Sequence, residues 1–406
     1  MRNLMEVPIW FCNNGQYSST YDQDSNSEKQ STTSTTTYEE TSSCSIDTFA
    51  SPKSFKSHSC IATFKTLTPQ ISHLAIHNDI LYAASLNEIT AFDLKTYEKI
   101  DTFSRQTTSS FGIVKSIAFS NTKIFTAHQD CKIRVWQLTP SSIKHQLLST
   151  LPTLKDRIRR GISPKNYVQI RRHKQKLWIE HADTVSGLAV NNEGLMYSVS
   201  WDKSFKIWNM SNFSCLESVI GHVDAINAIV VSHDGVVYTA SADGEIKVWQ
   251  REKNKHILVA TLKKHKSTVN ALALNKEGSV LFSGGCDEKI LVWEREEYCA
   301  DYMLATWSLR GHKGAILCLI YIDDVLISGS SDKNVRIWQK SSNNTECGYF
   351  CSIVFEGHCK PVKSVTAAWE WDDDNNNGNN NGVLSVLSGS LDGEIRVWEV
   401  IVSTSR

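Results

Sequence analysis

From Ile226 to Trp249 apolar and polar positions fall in a fixed rhythm. INAIVV (226–231), VVYTAS (236–241) and IKVW (246–249) are apolar runs of strand length, separated by His233-Asp234-Gly235 and Asp243-Gly244. Short β-rich runs bounded by Gly and Asp predict strands joined by tight hairpins. The unit holds no helical spacing over about ten residues. A fourth strand is expected beyond the Trp, as at Ile257–Leu262.

The rhythm recurs. Asp, five residues and Trp appear at Asp130/Trp136, Asp202/Trp208, Asp243/Trp249, Asp287/Trp293, Asp332/Trp338 and Asp392/Trp398. The last five pairs follow His181, His222, His265, His312 and His358. A period of this length marks a repeat architecture, and four antiparallel strands per unit around an axis make a β-propeller. With Gly-His at 221–222, 311–312 and 357–358, the chain resembles the WD-repeat family. The closing dipeptide departs from that family: Gln, Asn or Glu follows each Trp. Residues 71–94 keep the strand rhythm with Phe92 at the Trp position and Leu86 at the Asp position. The next unit keeps Asp130 and Trp136 without the preceding His.

Seven units result. The expected fold is therefore all-β: a seven-bladed WD-repeat β-propeller over 60–406, behind a Ser/Thr-rich tail over 1–59. Residues 17–59 contain 21 Ser or Thr in 43, too little apolar surface to offset ordering entropy, so the tail is expected to be disordered. Ser51-Pro52 is a candidate phosphorylation site there. The resemblance implies that the ring closes when Cys60–Lys65 pairs beside Val397–Val402. It also implies that each His, Asp and Trp joins a hydrogen-bonded network inside its blade rather than catalysing anything. A buried carboxylate needs donors and a buried indole N–H needs an acceptor.

The same resemblance places partner contacts on the top face. They are Thr184, Ser186 and Trp201 in blade three, Asn227 in blade four, Asn270 in blade five, Lys115 in blade two and Lys363 in blade seven. Two insertions interrupt the repeat. Residues 152–180 join blades two and three, a connection the resemblance places on the top face, and within 155–176 carry Lys155, Arg157, Arg159, Arg160, Lys165, Arg171, Arg172, Lys174 and Lys176 against one acid, Asp156. In a chain with 43 basic and 43 acidic residues, this concentration is a candidate patch for an anionic partner. Trp178 and Tyr167 are expected to add aromatic surface, and RRHKQK (171–176) resembles a nuclear-import patch. Ser163-Pro164 is a further candidate for phosphorylation, which would add negative charge to this patch. The Asp/Asn-rich stretch 370–382 is expected to be a disordered bulge in blade seven; Asp372–Asp374 lack the oxygen spacing of a calcium loop.

LPTLKDRIRR, SPKNYVQIRRHKQKLWIEHADTVSGLAV and LFSGGCDEKILVWERE are similar to the plant JINGUBANG-type WD-repeat proteins. That similarity implies a non-enzymatic plant scaffold restraining pollen germination or other developmental signalling. The partners it implies are proteins: a transcription factor, a kinase or another signalling component. An alternative is the substrate receptor of a ubiquitin ligase. It finds no F-box in 1–59, and Trp249-Gln-Arg and Trp293-Glu-Arg place Arg one position early for Trp-Asp-x-Arg.

Outside the repeat residues no nucleophile–base pair, phosphate-cradling Gly loop or paired metal ligands stand out, so no enzyme activity, cofactor or metal is expected. Eleven scattered Cys suggest free thiols. Zero net charge argues neither for a membrane nor for direct nucleic-acid binding. The absence of a long apolar run leads to an expected cytoplasmic or nuclear location.

Overall fold

The computed structural model describes residues 53–66, 69–104, 112–120, 122–139, 144–295, 302–341, 348–371 and 380–404. The expected disordered tail as far as residue 52, with Ser51-Pro52, and Asp372–Asp374 lie outside them. Seven four-stranded antiparallel sheets form the blades of a β-propeller. Their inner strands are Ile71–His77, Val114–Ser120, Val185–Val190, Ile226–Val231, Val269–Leu274, Ile316–Ile322 and Val362–Trp371. Each touches the inner strand of the next blade, and the seventh touches the first, so the ring is closed.

Blade seven takes its outer strand from the start of the chain. Lys53–Lys65 pairs antiparallel with Glu394–Thr404, setting Lys53 opposite Thr404, Cys60 opposite Trp398 and Lys65 opposite Glu394. The expected tail boundary at 59/60 thus falls inside this strand. Cys60–Lys65 pairs with Glu394–Trp398, and Lys53–Cys60 continues along the rest of the partner strand. Closure removes the open edge that blade seven would otherwise expose.

The core is distributed between blades. Seven buried clusters are found, one at each blade–blade boundary; Phe125, Val135, Leu188 and Met196 pack between blades two and three, and Ile71, Leu81, Leu387 and Ile395 between seven and one. Gly389 is required at that last boundary, because a Cβ there would stand 2.5 Å from Ile71 Cγ2.

One irregularity recurs in every blade. Each inner strand shifts register between its first and third residues, as at Val114/Ser116, Val185/Gly187 and Val362/Ser364. The bulged second residue is Ser72, Lys115, Ser186, Asn227, Asn270, Leu317 or Lys363 in blades one to seven. A bulge re-aims the extra side chain. Here all seven line the same central channel.

The insertion over 152–180 is ordered. It contains the helix Leu154–Gly161, a short 3-10 turn Pro164–Asn166 and a hairpin of Tyr167–Arg171 with Lys174–Leu177. Thr153 caps the helix by accepting from the Asp156 N–H at 3.2 Å. In blade seven the strands Val362–Trp371 and Asn380–Ser390 both run into the second insertion, which narrows the expected bulge.

Candidate partner-binding site

The repeated His, Asp and Trp residues meet through a fourth residue. In blade three Trp208 Nε1–H donates to Ser198 Oγ at 2.9 Å. Ser198 stands 2.8 Å from His181 Nε2, and His181 Nδ1 stands 2.9 Å from Asp202 Oδ2. A carboxylate only accepts, so Nδ1 carries the proton and Nε2 accepts from the hydroxyl. The chain of donors runs one way, from indole to hydroxyl to imidazole to carboxylate.

The same geometry joins His222, Asp243 and Trp249 through Thr239, and His265, Asp287 and Trp293 through Ser283. It joins His312, Asp332 and Trp338 through Ser328, and His358, Asp392 and Trp398 through Ser388. Each Asp also accepts from the backbone. Asp332 takes the N–H of Lys313 at 2.9 Å and of Asn334 at 3.0 Å, tying two loops together. Burial alone would raise the Asp332 carboxyl; the His312 bond and charge and these N–H donors outweigh it and hold it at about 2. Burial lowers His181, His222 and His358 despite their carboxylate partners. Neutral, internally satisfied imidazoles serve structure. His358, Asp392 and Glu394 cluster closely enough to suggest metal ligands, but His358 and Asp392 already belong to this network.

Blade two has an imidazole that the repeat pattern does not reveal. His128, from the blade's second strand, places Nε2 2.8 Å from Thr126 Oγ1, to which Trp136 Nε1–H donates at 2.9 Å. Its Nδ1 faces the Gly112 carbonyl at 3.3 Å in place of an Asp. Asp130 instead holds the buried Arg134 guanidinium. Blade one dispenses with the network: Phe92 is buried among Leu81, Leu387 and Val397.

The ring of bulged residues surrounds a channel of about 580 Å³. Five of the seven expected top-face residues lie on that ring: Lys115, Ser186, Asn227, Asn270 and Lys363; Trp201 lines the channel beside them. Thr184 does not. It is 2% exposed, its carbonyl accepting from the Trp201 N–H, so it shapes the turn beneath Trp201 and offers no contact surface. Ser186 donates to the Ile226 carbonyl, Asn227 to Val269 and Asn270 to Ile316. These three therefore stitch neighbouring inner strands together as well as facing the channel.

Lys115 and Lys363 differ. Lys115 Nζ lies 5.2 Å from the centre of the Trp201 ring. Among the described residues neither ammonium has an ion pair and no carboxylate lines the channel. Enclosure by the channel walls, then the charge of Lys363, pulls Lys115 down to about 8. Enclosure lowers Lys363 also, and takes the neighbouring His73 to about 4. The channel thus presents two ammoniums and one exposed indole on an otherwise neutral ring.

The basic insertion does not join this ring. Asp156 Oδ2 accepts from Cys215 N at 3.3 Å, and an Arg160 nitrogen donates to the Cys215 carbonyl at 3.2 Å. Cys215 begins the outer strand Cys215–Ile220, whose other end pairs with Ser204 near Trp201. Five steps along a strand separate the two ends by about 16 Å. The helix therefore packs on the outer edge of blade three, which corrects its expected place over the top face. Arg157 is paired with Glu180 at 2.7 Å, and Arg160 stacks 4.5 Å from the centre of Trp178. Trp178 is half-buried against the core, so it adds no free aromatic surface, whereas Tyr167 is exposed. Arg159, Arg172 and Lys174 are exposed, and Arg171 ends a strand of the hairpin; its side chain lies outside what is described.

Arg251 pairs with Glu193 at 3.4 Å, and Arg295 lies over Tyr302 and beside Asp234. Seven described cysteines are free thiols. No helix among the described residues is long and apolar enough to cross a membrane.

The family description "WD domain, G-beta repeat" matches residues 173–209, 213–250, 257–294, 304–339 and 349–399, which are blades three to seven. Among known proteins, the chain is similar to Zinc finger CCCH domain-containing protein 59 of Arabidopsis thaliana, 25% identical over 169 residues. That match covers 41% of this chain and 34% of the relative. It is similar to Protein ROOT INITIATION DEFECTIVE 3 of the same plant, 36% identical over 72 residues (17% of this chain, 15% of the relative). It also matches Telomerase protein component 1 of Mus musculus, 27% identical over 140 residues, 34% of this chain and 5% of that protein. The chain thus spans at most about a third of the length of these relatives.

Proposed function

Because this chain belongs to the WD-repeat family, we propose that it is a non-enzymatic scaffold or regulatory adaptor whose protein partners dock at the channel mouth. The observation that carries this reading is the ring of bulged side chains, in which Lys115 and Lys363 face the channel with no carboxylate among the described residues lining it, and Lys115 lies over the exposed Trp201. An indole next to a partly buried ammonium is the composition of a binding hot spot. The partner group that fits is an acidic side chain, which would supply the missing counter-charge. The imidazole–carboxylate pairs of blades three to seven are consumed by the structural network, which favours binding over catalysis.

The biological role rests on the resemblance of residues 151–183 to the plant JINGUBANG-type proteins. It supports a developmental or signalling regulator that restrains pollen germination, acting in the cytosol or nucleus on a transcription factor or kinase. The test compares proteins co-purified from pollen with the intact chain and with Trp201→Ala/Lys363→Ala. A partner lost from the variant while its circular dichroism is unchanged supports the reading; identical partners reject the channel mouth as the site. Accelerated germination on loss of the protein supports the role, and unchanged germination rejects it.

A further inference from the structure

The helix Leu154–Gly161 is inside out. Its buried residue is Asp156, which with Arg160 one turn later faces the outer strand of blade three. Its apolar residues face solvent: Leu154 is 71% exposed, Ile158 62%, and Ile162, the C-cap, 81%. A spacing of four keeps these three on one ridge. A surface helix ordinarily turns such a ridge to the core, so the reversal is informative. Tyr167 and Val168 extend the exposed apolar surface on the following hairpin.

Charge surrounds the ridge with a single sign. Lys155 and Arg159 are exposed beside it, and Arg157 lies on its other flank. The insertion's acids are withdrawn: Asp156 is buried, and Glu180 is paired with Arg157. Contiguous exposed apolar side chains with a polar rim mark interaction sites. We propose that this ridge docks an amphipathic helical segment of a partner protein whose apolar stripe is flanked by Asp and Glu. Apolar residues at i and i+4 interdigitate with a like stripe, and an acidic flank meets Lys155 and Arg159. A helix fits better than an anionic membrane, because the ridge is short, is held to blade three by Asp156 and Arg160, and carries no Trp or Phe to enter a bilayer. The surface is separate from the channel mouth, and the inference stands whether or not that site binds.

The test uses the full chain and a labelled 18-residue peptide with Leu at helical spacing and Glu elsewhere. The controls are a permuted peptide of the same composition and phosphatidylserine vesicles. Fluorescence anisotropy is expected to show binding of the first peptide. Affinity should fall at least about tenfold in Leu154→Ser/Ile158→Ser, a solvent-facing pair whose loss leaves the Asp156 and Arg160 contacts in place. A Lys363→Ala variant should bind the peptide normally. Equal binding of the permuted peptide, equal binding by the double variant, or no binding up to about 1 mM overturns the proposal. Vesicle binding without peptide binding overturns it in favour of a membrane surface.

Discussion

His128 reaches Thr126 Oγ1 from two residues along the same strand, at 2.8 Å, where in five other blades the imidazole arrives from the loop before the inner strand. Both arrangements leave the hydroxyl to bridge imidazole and indole. The requirement is a ring nitrogen at that point, not a particular sequence position. His128→Ala leaves the Thr126 hydroxyl proton with only the Arg134 carbonyl at 3.4 Å to accept it, and opens a void beside Trp136. The expected cost is about 2–4 kcal/mol in denaturant unfolding. A cost near zero would mean that blade two does not use this imidazole.

Acid should unfold the ring in two stages. The lowered folded pKa of His128, about 3, and of His181, His222 and His358 means that the unfolded chain binds more protons below its own value near 6.5. That stability is whole above about pH 6.5 and is lost as pH falls below it. The depressed carboxyls of Asp243, Asp332 and Asp392 add a second loss below about pH 4. Thermal midpoints measured from pH 8 to pH 3 should be flat at first, then decline from near 6.5. A midpoint that rises on acidification would contradict neutral network imidazoles.

How far the sequence disclosed this architecture depends on the residue. His, Asp and Trp announce the blades because rare residue types recur at fixed spacing. Ser198 and its counterparts are as essential to the network, yet serine is common and its role follows from strand pairing alone. His128 escaped because its imidazole comes from another strand. The channel ring depends on a bulge, which leaves no mark in composition. In LKDRIRRGI the charges invite a surface loop; that they face inward at Asp156 and Arg160 is a tertiary fact.

The residue after each network Asp is left-handed: Gly244 and Gly393 have φ of +81° and +84°, but Lys333 has +74°. Side chains in that region cost about 1–2 kcal/mol, and Gly returns about 0.4–1 kcal/mol of this through the unfolded chain. Lys333 is exposed and its side chain makes no polar contact among the described residues, so Lys333→Gly should stabilise by about 0.5 kcal/mol. Urea midpoints of the two proteins decide the sign.

The start of the chain is predicted to hold the ring closed from Lys53, not from Cys60. Phe55 packs against the cluster of Phe355, Val400 and Val402, and its strand pairs to Thr404. A chain beginning at Lys53 should unfold as one cooperative unit. A chain beginning at Cys60 should melt lower and be cut first by protease in Glu399–Thr404. Equal melting of the two would mean that the added pairing contributes nothing.

The channel lysines separate binding from architecture. Lys115 and Lys363 face one channel with no carboxylate among the described residues that line it, so each charge opposes the other. Lys363→Met should therefore raise the thermal midpoint, an unusual gain for loss of a charged residue. The pH dependence has a definite sign: Lys115 sits at about 8 when folded and near 10.4 when unfolded, so wild-type stability should increase between those values as pH rises. An anion held between the two ammoniums favours their charged forms and should erase that increase. Phosphate is the simplest probe. It should raise the wild-type midpoint at neutral pH by about 2 °C at ten times its dissociation constant, and should leave Lys115→Met/Lys363→Met unmoved. Equal shifts in both proteins would assign the effect to salt at the surface, and the ring would then lack the anion affinity on which partner docking at the channel mouth depends.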